Sequence, residues 1–165
     1  MAKGKVTRND IYKYNLQKRI MARASGSSAL ISRKVNTILN NYDLLVNALQ
    51  KLKTIAELKD NWNNNGAKSF DRSLISQCYI IVSMLVNYPP EIFPVADNSI
   101  QMEYDGNAGS YLQFRIYENK IREFRVFSNG KKLEKYINEP DIVKEVKSFY
   151  GLTQRQREYI QIDQT

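Results

Sequence analysis

Apolar residues switch from helical to alternating spacing at Pro89-Pro90. Upstream, Ile38, Tyr42, Leu45, Leu49, Leu52 and Ala56 recur in steps of four and three, which places them on one face of a long helix starting near Asn36. Leu39 and Val46 widen that stripe, as packing against a domain core requires. Leu58 and Trp62 extend it before Asn63, Asn64, Asn65 and Gly66, residues that stop helices and accept turn geometry. Ser69 or Asp71 then caps a second helix, with a buried stripe of Leu74, Cys78, Ile81, Val82 and Leu85, that runs through Tyr88 to the two prolines.

Downstream the period is two. Ile100, Met102 and Tyr104 alternate with Gln101, Glu103 and Asp105, and Leu112, Phe114 and Ile116 with Gln113, Arg115 and Tyr117. In a third run Phe124 and Val126 oppose Glu123 and Arg125. Three such runs predict an antiparallel meander with one wet face and one covered face. Asp105 to Gly109 supplies the first turn and Glu118-Asn119-Lys120 the second; "KKLEKYI" adds a fourth edge strand after Asn129-Gly130. Asn138 and Pro140 open a C-terminal helix that buries Ile142, Val143, Val146 and Phe149 and closes at Gly151. Thr153 and Gln156 have the spacing of a capping box for one more short helix. The expected fold is α+β: a helical hairpin packed on a three- to four-stranded antiparallel sheet, with a C-terminal helix and a basic N-terminal helical arm. The expected boundaries are an arm at 1–35, an α+β domain at 36–151 and a short helix or tail at 152–165.

The arm stands out by charge. The chain carries a net charge of +8, and residues 1–35 hold nine Lys or Arg against Asp10 alone. The other residues balance sixteen basic groups with sixteen acidic ones. Helix-forming residues run from Asn9 to Ala24 and end in Ser25-Gly26-Ser27-Ser28; Tyr12, Leu16 and Ile20 form only a narrow apolar line. Arg8, Lys13, Lys18, Arg19, Arg23, Arg33 and Lys34 can neutralise phosphates, and Tyr12 and Tyr14 can stack on unpaired bases. Such contacts bind without reading sequence.

Several chemistries are excluded by composition. Histidine is absent, which removes Cys-His pairs, Ser-His-Asp triads and histidine-ligated zinc. The lone Cys78 allows no internal disulfide or cysteine cluster and fits a reducing compartment. Neither GxxxxGK[ST] nor GxGxxG occurs, and no cofactor is expected. No run reaches the roughly 18 to 20 apolar residues of a membrane span, and the start lacks the pattern of a signal peptide. The expected location is the cytoplasm, without membrane association.

Leu58, Asn61, Trp62 and Asn63, then Gly66-Ala67, Pro94 and a strand ending in Glu103 and Tyr104, together resemble a family of small, uncharacterised proteins of bacteria and their phages. The likeness covers about a third of the chain. Asn65 stands where those proteins often carry a bulky or aromatic residue. The resemblance implies a similar fold and an origin in a phage or mobile element, and it implies no catalytic residues. Read from the residues themselves, Trp62, Gly66 and Ala67 are a structural corner, with Trp62 wedged where the two helices meet.

The leading expectation is a non-enzymatic binding protein whose arm engages nucleic acid, or a nucleic-acid-processing host protein such as a defence nuclease that it inhibits. One alternative is a Mg²⁺-dependent nuclease using Asp105, Glu118 and Lys120, since two carboxylates and a lysine can hold the ion and steady the attacking water. Against it, Glu118 and Lys120 straddle a hairpin turn. Glu103 with Glu123 is the corresponding pair for glycoside chemistry, though acidic residues are ordinary on a wet sheet face. The other alternative is a virion or scaffold protein that self-associates through the 38/42/45/49/52 face.

Overall fold

The computed structural model describes Lys18 and residues 28–162, with side chains at Lys18 and 35–151. The chain divides into two compact units, residues 1–43 and 44–165. Helix α1 (Ser28–Ala56) and helix α2 (Arg72–Met84) form the expected hairpin. Five strands follow: β1 (Glu91–Val95), β2 (Ser99–Asp105), β3 (Tyr111–Tyr117), β4 (Lys120–Val126) and β5 (Lys132–Ile137). Helix α3 (Asp141–Ile162) ends the described chain. The strands are antiparallel in the order β1-β2-β3-β4-β5.

One face of the sheet carries the core. Ile92, Ile100, Met102, Tyr104, Leu112, Phe114, Ile116 and Ile121 meet Ala48, Leu52 and Ile55 of α1, Leu74, Ile75, Cys78, Ile81 and Val82 of α2, and Ile142, Val146 and Phe149 of α3. The α1 residues buried in this cluster are thus 48, 52 and 55, while Ala56 is exposed and Leu45 and Leu49 flank the cluster. Of the 38/42/45/49/52 face, Leu52 is fully buried in the protein's own core, whereas Ile38 is exposed. Cys78 is enclosed, and burial pushes its thiol up to about 12, which leaves it unreactive.

Five boundaries differ from the sequence expectation. Helix α1 starts at Ser28, so the expected 35/36 division falls inside a helix. It also stops at Ala56, short of Trp62, and α2 stops at Met84, short of Tyr88. The sheet has five strands because "EIFPV" forms β1; Pro94 lacks an N–H but lies on an edge strand, where one side of the ladder is unused. At the other end α3 runs straight through Gly151 to Ile162, taking in most of the segment expected to form a separate short helix. A glycine inside a helix costs only about 1 kcal/mol relative to alanine. It stops a helix when it adopts positive φ, and Gly151 does not.

The covered face of β4 departs furthest from expectation. Ile121, Glu123 and Arg125 point into the core, and Phe124 and Val126 lie half-buried on the open face. Arg125 reaches Glu123 at 3.0 Å and Glu145 of α3 at 2.9 Å; Lys135 of β5 lies 2.8 Å from Glu145 and 3.5 Å from Glu123. Arg125 also donates to the Glu145 carbonyl at 3.1 Å. Burial raises the Glu123 carboxyl above the ordinary range, against the opposing pull of Arg125 and Lys135. Two carboxylates and two cations balance, and together they fasten α3 to the last two strands.

Between the helices, residues 57–71 form a loop stitched by its own side chains. Asn61, Asn64 and Gly66 adopt positive φ (66°, 57° and 81°), a region that asparagine and glycine enter readily. The Asn61 amide oxygen accepts from Gly66 N–H at 2.8 Å, and that of Asn63 accepts from the N–H groups of Asn65 and Ala67. Trp62 donates its indole N–H to the Lys68 carbonyl at 3.0 Å and lies against Phe70, with ring centroids 5.9 Å apart. The asparagine run therefore serves the turn.

Asp60 closes this loop by accepting from Lys68 and from the Ser69 N–H and hydroxyl. Those hydrogen bonds, Lys68 first, hold its carboxyl down to about 2. The folded value lies below the ordinary 3.8, so the clasp is present above that pH and is lost as pH falls through about 2. Trp62 fluorescence is expected to stay constant down to pH 4 and to change between pH 4 and 2, with the step absent in Asp60→Asn. Asn61→Ala, which places alanine at φ 66° and removes the acceptor for Gly66, is expected to cost about 1–3 kcal/mol in urea unfolding. Asn61→Gly should recover the backbone part of that loss.

Candidate nucleic-acid interface

The sheet register arranges the open face in rows. One row crosses all five strands as Phe93, Gln101, Arg115, Arg122 and Tyr136, and beside it Tyr117 pairs with Lys120 at the β3–β4 turn. The Lys120 ammonium lies 5.0 Å from the Tyr117 ring centroid and 5.6 Å from that of Tyr136. Tyr136 is 64% exposed. Lys120 makes no ion pair among the described residues.

Neighbouring polar groups hold this corner in place. Arg115 bonds Gln101 at 3.1 Å and reaches Asp97 at 3.4 Å, while the Tyr117 hydroxyl donates to Asp97 at 3.2 Å. Partial burial works against the Asp97 carboxylate, but the Ser99 hydrogen bonds and the Arg115 charge outweigh it and keep the carboxyl below its usual range. Arg122 pairs with Glu134 at 3.3 Å. A cleft of about 440 Å³ adjoins Tyr117 and Lys120, lined also by Asp71, Asp97 and Glu118.

The opposite end of the same face is acidic. Glu91 and Glu103 are direct cross-strand partners, with Asp105 two residues further along β2. Burial, a hydrogen bond to Glu103 and the charges of Glu103 and Asp105 raise the Tyr111 hydroxyl above its ordinary value. Lys120 and the two rings thus lie toward the β3–β4 turn beside Asp97 and Glu118, while Glu91, Glu103 and Asp105 lie toward the β2–β3 turn.

The sequence candidates fall into three groups. Arg8, Tyr12, Lys13, Tyr14, Arg19 and Arg23 lie outside the described residues. Lys18 is helical and exposed; Arg33 and Lys34 belong to α1, and their side chains are outside the described set. Trp62, Gly66 and Ala67 lie in the 57–71 loop, with Ala67 buried and its N–H held by Asn63.

The nuclease trio is not brought together. Asp105 pairs with Tyr111 at one end of β3, whereas Glu118 and Lys120 follow Tyr117 at the other. Six residues of extended strand separate the two ends by about 20 Å. Glu103 and Glu123 lie on opposite faces of the sheet. Among the described residues, no group of three or more His, Cys, Asp or Glu side chains could hold a metal ion. No helix among them is long and apolar enough to cross a membrane.

A scan against protein-family models and searches of curated proteins and of solved structures found no match for this chain. The aromatic and basic corner did not stand out in the sequence because its members come from three strands. Tyr117 and Arg115 already occupied outward positions in the period-two pattern, and the register supplies Arg122 and Tyr136.

Proposed function

We propose that the protein is a non-enzymatic nucleic-acid-binding protein that engages its ligand through the basic segment 1–35. The observation that carries this is the charge distribution: nine cations against one carboxylate in that segment, with the rest of the chain neutral. Charge concentrated on one segment creates a local field for a polyanion, which an even distribution of the same residues would not. The body's internal pairing supports the reading. Asp60, Asp97, Glu123, Glu134 and Glu145 are each matched by a lysine or arginine of the same unit. The non-enzymatic part rests on the absence of histidine and the separation of Asp105 from Glu118 and Lys120. An origin in a phage or mobile element rests on the resemblance at Leu58 to Tyr104.

Removal of residues 1–35 tests the reading. The full chain is expected to bind duplex and single-stranded DNA with an affinity that falls linearly on a log-log salt plot, by about 0.9 per neutralised duplex phosphate. The truncated chain should lose most of both the affinity and the slope. Equal binding by the two proteins at about 50 and 200 mM salt would remove the arm from the account. Binding to a nucleic-acid-processing protein, with none to pure nucleic acid, would transfer the same cations to an anionic protein groove.

A further inference from the structure

We propose that the open-face corner formed by Tyr117, Lys120 and Tyr136, flanked by Arg115 and Arg122, is a stacking platform for unpaired bases of single-stranded nucleic acid. The proposal rests on the reading of the protein as a nucleic-acid binder and adds which form of the ligand the folded body recognises. Three observations lead to it.

First, one ring is offered to solvent and the half-buried ring beside it is held from a rigid support. Tyr136 is 64% exposed, and Tyr117 is held through its hydroxyl by Asp97, itself fixed by Ser99 and Arg115. A tyrosine whose hydroxyl is already bonded presents its ring at little further entropic cost. Every base has a π-face, so such rings bind any sequence.

Second, Lys120 marks where the backbone passes. Its ammonium rests on both rings, with no carboxylate partner among the described residues. An exposed cation–π contact is weaker than a base stack. An arriving base therefore displaces the ammonium, which swings on its flexible stem to meet the adjoining phosphate. Arg122 and Arg115 lie next along the row, and their pairs with Glu134 and Asp97 are partly exposed. A phosphate can compete for them, because exposed ion pairs hold weakly.

Third, the charge pattern gives the track a direction. Glu91, Glu103 and Asp105 line the far end of β1 and β2 and repel a phosphate backbone. On the β3, β4 and β5 side the carboxylates Asp97 and Glu134 are each paired with an arginine, so a strand meets less repulsion there. A duplex keeps its bases stacked within itself and cannot offer a π-face to either tyrosine.

The test compares full-length wild type with Tyr117→Ala, Tyr136→Ala and Tyr136→Phe by fluorescence anisotropy. The probes are a labelled oligothymidylate, the matching oligouridylate and a duplex of equal length. Each alanine variant is expected to weaken single-strand binding by about 5- to 150-fold and to leave duplex binding unchanged. Tyr136→Phe keeps the ring and should keep the affinity. Equal losses on duplex and single strand, or no loss on either single strand while wild type binds both, would overturn the platform and leave the arm standing. Failure of wild type to bind any of the three probes would overturn the platform together with the reading beneath it.

Discussion

Replacing Arg125 with methionine is expected to cost about 3–5 kcal/mol of unfolding free energy, measured by urea denaturation at pH 7. The loss comes from what the guanidinium leaves behind. Glu123 is fully buried, and without Arg125 its nearest cation is Lys135 at 3.5 Å, already committed to Glu145 at 2.8 Å. An uncompensated carboxylate in a dry interior is far more costly than a missing contact.

The deficit has a pH signature. In Arg125→Met the burial that raises the Glu123 carboxyl acts with one opposing charge fewer. Its folded value then lies further above the ordinary 4.5, so stability is fullest below 4.5 and is lost as pH rises through the folded value. The variant should therefore approach wild type near pH 4 and fall away toward pH 7. The double variant Glu123→Leu/Arg125→Met removes both charges while Glu145 and Lys135 keep each other. It is expected to return to within about 1 kcal/mol of wild type, or to exceed it. A double variant as weak as the single one would show that the pair itself, rather than the orphaned carboxylate, supplies the stability.

Phe114→Ala is the second large effect, at about 3–5 kcal/mol. Phe114 is fully buried at the middle of the central strand, paired across the sheet with Met102 and Glu123 and set edge-on to Tyr104 at 6.3 Å. No neighbour can collapse into the space without breaking the sheet register. Phe124→Ala, on the open face of the next strand, should cost well under half as much in the same urea assay, since its ring is only half-buried. Similar losses at 114 and 124 would mean that β4 faces the other way.

The period change at Pro89-Pro90, the inward triplets of β2 and β3 and the Asn129-Gly130 turn were legible because each is local. Gly130 indeed takes φ 78° and leads directly into β5. The facing of β4 was also legible, but only through its partner. A two-residue turn at Glu118-Asn119 pairs Tyr117 with Lys120 and so Ile116 with Ile121. Ile116 faces the core, so Ile121, Glu123 and Arg125 must as well. Reading hydrophobicity within β4 alone sends Phe124 and Val126 inward, because a buried ion pair looks polar until its partners on β5 and α3 are known.

Other differences have the same root in non-local context. Pro94 weakens a strand signal unless the strand is known to be an edge. Gly151 reads as a stop, but nothing at that point draws the backbone into positive φ. The asparagine run reads as a helix stop, and it is; which backbone amide each side chain satisfies depends on where the chain returns at Gly66 and Ala67. The Tyr117, Lys120 and Tyr136 corner joins residues from both sides of two turns and was invisible until the register was set.

The strand order itself has a consequence for how the molecule assembles. Each strand pairs with the one before it in the chain, and the connections between them are only a few residues long. Every hairpin thus closes a small loop, for which the entropic cost grows slowly and remains modest. Pairing can advance from one edge of the sheet to the other like a zip, with each new strand finding its template already in place. Topologies of this kind, rich in contacts between near neighbours, reach the native state faster than sheets whose strands must be gathered from distant parts of the chain.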